Sequence, residues 1–272
     1  MNATATKARE YRLRWWTLMV ISISVIIVIL DSTIVNIALP TLQRELNTSL
    51  SELQWIINAY IMAFAALMLT MGALGDRLGR ARILQVGIVV FAAGSLAASF
   101  ASSGGQLILW RAIMGIGGAM ILPATLAIIT NVFPREERGK AIGVWAGLNG
   151  IGIALGPIIG GSIIESLQWN WIFLVNLPVA AVALAAGWFL IPNSRDPNPK
   201  RLDFPGTILS AATLSALFRA ATGDGQIQQL SVPLPELWFL LHYSFSGNGI
   251  PAIRCWKLDS SATLAFQLVS AL

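Results

Sequence analysis

Hydrophobic positions in this chain do not alternate with polar ones; they run together in long blocks separated by short charged segments. Apolar stretches lie near residues 16–39, 55–74, 83–103, 106–131, 141–164, 172–192 and 206–222. About 20 apolar residues suffice to cross a bilayer as a helix, so the pattern predicts a series of membrane-crossing helices. The segment Gly72–Arg82, GALGDRLGRAR, carries Asp76, Arg77, Arg80 and Arg82 between two runs, Trp55–Leu74 and Ile83–Phe100, that contain no charge at all. It reads as the elbow of a membrane hairpin, and the glycines at 72, 75 and 79 let it turn sharply. Ser49-x-x-Glu52 and Ser51-x-x-Gln54 each have the spacing of a capping box that would open the second helix.

Charge sets the orientation. The N-terminal arm, the 2–3 elbow, the 4–5 loop and the 6–7 loop together hold thirteen Lys and Arg residues, whereas the alternate loops hold only Arg44. Basic residues gather in cytoplasmic loops, which predicts a cytoplasmic N-terminus. The first apolar run, about 24 residues long, exceeds a signal-peptide core and is followed by Leu39-Pro40 rather than a small-residue cleavage pattern, so it reads as a retained span.

Composition agrees. Of the 272 residues 56% are hydrophobic and only 11% charged, with a mean hydropathy of +0.70, whereas soluble domains carry about 25% charged residues. The net charge of +5 is spread over short loops, which argues against a nucleic-acid partner and for a lipid bilayer. One cysteine, Cys255, excludes an intramolecular disulfide, and one histidine, His242, excludes a histidine-rich metal site. No cofactor is expected. The resulting expectation is an all-α polytopic membrane protein: an arm over 1–14, six spans over 15–193 divisible as a 3+3 inverted repeat, a cytoplasmic loop over 194–205, a partial seventh span over 206–222 and an atypical tail over 223–272. The tail has neither helical nor strand periodicity. It reads as an out-of-frame end that interrupts the seventh span, the alternatives being a short soluble tail or an amphipathic surface segment.

Two charges lie inside the first six apolar blocks. Asp31, in LDSTIVNIALP, is about eight residues, or roughly 12 Å, from the outer end of the first span; Arg111, in LWRAIMGIGGAM, is about five residues, or roughly 8 Å, from that of the fourth. A carboxylate at such depth costs at least about 2.5 kcal/mol and usually marks an ion or proton pathway, the competing reading being an acid paired for helix packing. The two are expected to share one polar cavity, directly or through water. Asn36, Asn58, Tyr60 and Asn149 are candidate cavity positions, or interhelical hydrogen-bonding groups. In the fifth span Gly152, Gly156 and Gly160 recur every fourth residue and form a ridge, and Pro157 removes a backbone donor within it. Gly115-Ile-Gly-Gly lies mid-span rather than after a strand and is no dinucleotide loop. The absence of a nucleophile elbow, a zinc motif and a P-loop argues against an enzyme.

Together these motifs resemble the major facilitator superfamily and, within it, the drug:proton antiporters of the fourteen-span EmrB/QacA type. Gly72–Arg82 resembles the superfamily's 2–3 loop signature, and Leu30-Asp31-x-Thr33-Ile-Val-Asn36-x-Ala-Leu-Pro40 the first-helix motif of the drug-efflux group. Arg111 with Gly115 resembles the fourth-helix motif, with Met114 where a glutamine is usual. Gly147 to Gly161, ending Gly-Pro157-x-x-Gly-Gly, resembles the fifth-helix antiporter motif. Trp169-x-Trp-Ile-Phe-x-x-Asn176-x-Pro178 and Leu202-Asp-Phe-x-Gly206 are similar to the sixth span and the loop after it.

The resemblance implies a multi-pass protein of the bacterial inner membrane that exports hydrophobic or amphipathic, often cationic, drugs and toxic compounds in exchange for protons. Asp31 and Arg111 would couple protons to substrate. Gly72, Gly75, Asp76, Arg77, Gly79 and Arg80 would gate the cytoplasmic side, and Gly147, Gly152, Gly156, Pro157, Gly160 and Gly161 would let the fifth helix rearrange. Because the family rocks two six-helix halves, the chain reads as an N-terminal fragment whose partner is a missing C-terminal half or another protomer. Asp76 would then lose partners, and the glycine ridge would face lipid or that protomer. The alternative is an inactive or partner-dependent half-transporter.

Overall fold

A computed structural model of the chain describes residues 3–196, with side chains from 11 onward. The expected seventh span and tail lie outside the described residues. Within them the structure is helical without strands: α1 (Ala3–Leu46), α2 (Leu50–Leu78), α3 (Arg80–Ala98), α4 (Gly104–Val132), α5 (Arg135–Ser166), α6 (Trp171–Leu174) and α7 (Asn176–Leu190). Six spans have the length and apolarity to cross a membrane, α6 and α7 together forming the sixth.

Most helices outrun their apolar blocks. α1 passes through Pro40, where the sequence pattern placed an end, and continues to Leu46. Its extra turns are held by Leu42, which is fully buried, and by Arg44 Nε, which donates to the Pro40 carbonyl at 3.3 Å. Asn47 then adopts φ 48°, a left-handed conformation that asparagine tolerates, and the chain reverses. Of the two capping-box spacings the structure uses the first: Ser49 Oγ accepts from Glu52 N at 3.2 Å, and Ser49 N donates to Glu52 Oε2 at 2.8 Å. α3 stops short of the expected residue 103 because Ser103 is taken as the cap of α4, accepting from Gln106 N. The sixth span is jointed at Val175. Pro178 lacks the N–H that would have bonded the Leu174 carbonyl, so the helical ladder is interrupted there.

α4 packs chiefly against α2 and α3, and α1 chiefly against α5 and α7, with α1 and α4 also touching. Exchanging the first three spans with the last three carries one set of neighbours onto the other, the arrangement of a 3+3 repeat. The first and fourth spans are the most buried, the second and fifth the least. Ile61 and Leu69 of α2 and Ile151, Ile153 and Ile158 of α5 are exposed.

Candidate functional site

The two intramembrane charges sit on the two spans that this exchange relates. Asp31 of α1 and Arg111 of α4 are completely buried, and Arg111 Nη1 is ion-paired to Asp31 Oδ2. Each charge alone would be costly in this setting; paired and hydrogen-bonded, the two compensate one another's desolvation. The rest of the guanidinium is also engaged. Nε donates to the Ile56 carbonyl of α2 at 3.3 Å, Met114 Sδ lies 4.0 Å from Nη1, and the group stands 4.2 Å over the Tyr60 ring, a cation–π arrangement. One turn beyond Arg111, Gly115 brings α4 against the Tyr60 carbonyl, where a Cβ would collide.

The second carboxylate oxygen faces the sixth span. Asn176 Nδ2 donates to Asp31 Oδ1 at 3.1 Å and to Ser95 Oγ of α3 at 3.0 Å; Ser95 Oγ in turn donates to the Phe173 carbonyl at 2.8 Å. Sequence reasoning named neither Asn176 nor Ser95 as a site residue. The available signal was an amide two residues before a proline inside an apolar span, since interrupted helices in membranes need polar side chains to satisfy freed backbone groups.

Of the four candidate cavity residues, only Tyr60 meets the pair. Asn36 is exposed and donates to the Ser32 carbonyl of its own helix at 2.8 Å. Asn58 is half-buried on α2, and Asn149 is buried on α5 with its Oδ1 unpartnered. Of the two expected forms, direct or through water, the structure has the direct pair, with Tyr60 over Arg111 and Asn176, itself bonded to Ser95, on Asp31.

The glycine ridge does not face lipid. A Cβ on Gly152 would touch Ile26 and Ile29, one on Gly160 would touch Ile34, and one on Gly156 would overlap Thr33, all on α1. This corrects the expectation of a ridge facing lipid or another protomer: small residues draw α5 onto α1 within the same bundle. Gly147 and Gly161 adjoin open space, and Pro157 is exposed in a helix that continues through it.

Asp76 has partners within the chain. It is bridged to Arg80 Nη2 at 2.8 Å, and its carbonyl accepts from Asp196 N at 2.9 Å. Arg80 Nη1 reaches the Ala127 carbonyl of α4 at 3.1 Å, and its backbone N donates to Ser194 O at 3.0 Å. Gly79 turns the elbow at φ 115° against the Asn193 side chain. Residues 193–196 therefore strap the elbow. Gly72 abuts Pro123 of α4, Gly75 lies beside Ile83, and Arg77 is half-buried. Asp76 lies twenty residues along α2 from Ile56, so elbow and ion pair are roughly 30 Å apart and form separate polar stations.

Residues 21–266 match the family model of the Major Facilitator Superfamily. The chain belongs to the Major Facilitator Superfamily. Among curated members it is 44% identical over 208 residues to the puromycin resistance protein pur8 of Streptomyces alboniger, covering 76% of this chain and 41% of the relative. It is 39% identical over 229 residues to the multidrug efflux pump LfrA of Mycolicibacterium smegmatis, covering 83% and 45%. The methyl viologen resistance protein SmvA of Salmonella typhimurium is 39% identical over 211 residues, covering 77% and 43%. The chain thus spans under half the length of these superfamily members. Among solved structures, a bacterial homolog of the human lysosomal transporter Spinster, inward-facing and unoccupied, matches with TM-score 0.51 and 18% identity. That match covers 75% of this chain and 51% of that one, and it shows a shared fold. The superfamily consists of membrane transporters, not enzymes.

Proposed function

We propose that the chain forms the proton-coupling half of an exporter for hydrophobic or cationic compounds, of the fourteen-span antiporter type. The observation that carries this reading is the buried Asp31–Arg111 pair, which joins the two symmetry-related spans. An ionised Asp31 holds α4 to α1 through Arg111; a proton on Asp31 removes that attraction and frees the spans to part. A cationic substrate competes with Arg111 for the same carboxylate, so proton and substrate exclude one another, which is what exchange requires. The names of the relatives, resistance proteins for puromycin and methyl viologen and a multidrug pump, support such a substrate class.

The thirteen-to-one bias of basic residues supports a cytoplasmic N-terminus, in a bacterial inner membrane. The strapped elbow around Gly79 then lies on the cytoplasmic face, where it gates access from inside. The exposed apolar faces of α2 and α5 support a partner, either a second six-span half or another protomer.

Flux measurements test the reading. Vesicles containing the full chain are given a pH gradient, and movement of a fluorescent cationic dye is followed. Gradient-driven flux that disappears in Asp31→Asn is expected. Dye binding without flux, with flux restored by a co-reconstituted second half, would instead establish the partner-dependent half-transporter.

A further inference from the structure

Asn176 occupies a position whose hydrogen bonds depend on the charge of Asp31. Both of its Nδ2 hydrogens are used, one on Asp31 Oδ1 and one on Ser95 Oγ. Its own Oδ1 is buried and without a partner. An unsatisfied buried carbonyl is costly, and it is tolerated because the ionised carboxylate accepts hydrogens only and so dictates which way the amide faces. Arg111 occupies Asp31 Oδ2, so an incoming proton is directed to Oδ1, the oxygen that faces Asn176. That oxygen then becomes a donor and meets the donating edge of the amide.

We propose that Asn176 is a positioning residue that senses protonation of Asp31 by turning its amide over. The turned amide presents Oδ1 to the acid's O–H and to Ser95. Ser95 Oγ then donates to that carbonyl rather than to Phe173 O, whose bond crosses from α3 to the sixth span. The joint at Val175 already lacks one backbone bond because of Pro178, and it thereby loses a second tie. A proton taken up at the first span is thus reported at the hinge of the sixth, which packs directly against it.

The charged and titratable groups around Asp31 are Arg111 from α4 and Tyr60 from α2, while α3 and the sixth span present the neutral Ser95 and Asn176. The titratable side chains of α5 lie in its end turns, at Arg135, Glu136, Glu137, Arg138, Lys140 and Glu165.

The proposal rests on the reading that Asp31 takes up a proton, and the test separates the two. The full chain, labelled with carbon-13 asparagine and held in lipid nanodiscs, is examined by infrared difference spectroscopy between alkaline and acid pH. A carboxylic C=O band that is lost in Asp31→Asn reports Asp31, and an amide band that is lost in Asn176→Leu reports Asn176. Both bands are expected to change with one midpoint, and the amide change is expected to vanish in Asp31→Asn. Asp31→Glu, which moves the acid band, and Asn176→Gln serve where the first variants do not fold. An Asp31 band that titrates while the amide stays still overturns the proposal and leaves proton coupling intact. No titrating carboxyl band overturns both.

Discussion

Gly156 of α5 lies directly on Thr33 of α1: a Cβ placed there would overlap Thr33 Oγ1 and stand 2.6 Å from Thr33 Cβ. The contact is two residues from Asp31, so the spacing of α1 and α5 and the placement of the carboxylate depend on one missing methyl group. Gly156→Ala is expected to destabilise the bundle by about 1–3 kcal/mol through overpacking, read as a lowered thermal midpoint in detergent. Gly147→Ala, which adds its methyl to open space, is expected to be neutral or slightly stabilising, since alanine is the better helix former.

Removing one member of the ion pair leaves the other buried and uncompensated. Arg111→Leu is expected to cost about 3–5 kcal/mol, measured by denaturant unfolding in micelles. Adding Asp31→Leu to it is expected to restore most of the lost stability. Full stability in the single variant would show that water or another group reaches Asp31.

Met114 offers Arg111 only a thioether sulfur at 4.0 Å, a weak acceptor. Met114→Gln places an amide oxygen within reach, and a hydrogen bond to a charged group contributes about 1.5–3 kcal/mol. The substituted chain is expected to unfold at higher temperature. An unchanged midpoint would mean that the new amide turns away.

At the elbow, Gly79 combines φ 115° with close contact to Asn193. Gly79→Ala incurs both backbone strain, about 1–3 kcal/mol, and the collision. Limited proteolysis is expected to cut the substituted elbow faster. Asn193→Ala added to it is expected to recover only the part due to the collision, which separates the two causes.

Much of this was legible in the residues. Uncharged runs announce the spans because backbone polar groups in lipid are satisfied only within helices, and isolated charges announce Asp31 and Arg111 because their cost is large. Helix ends were less legible. The turns beyond Pro40 are polar outside and rest on Leu42, a contact that spacing alone does not reveal. The joint at Val175 coincides with Pro178, but its role depends on Asn176 and Ser95: Asn176 was visible as part of the sixth-span motif and Ser95 was not, and neither neutral group is costly enough in a span to mark it as a partner of Asp31. The partner of the glycine ridge was misjudged for a related reason: periodicity shows that a face is smooth, not which neighbour lies on it.

The 44 residues of α1 form one helix that continues through Pro40, with a rise of roughly 66 Å. Thr33, seated on Gly156, divides it unequally, with about 20 Å on the side of Leu46 and about 45 Å on the side of Ala3. Any pivoting of α1 about this contact would have its fulcrum beside Asp31. A tilt of about 5° about that point would carry the short arm by roughly 2 Å and the long arm by roughly 4 Å, so a given rotation displaces the N-terminal end about twice as far as the end at Leu46.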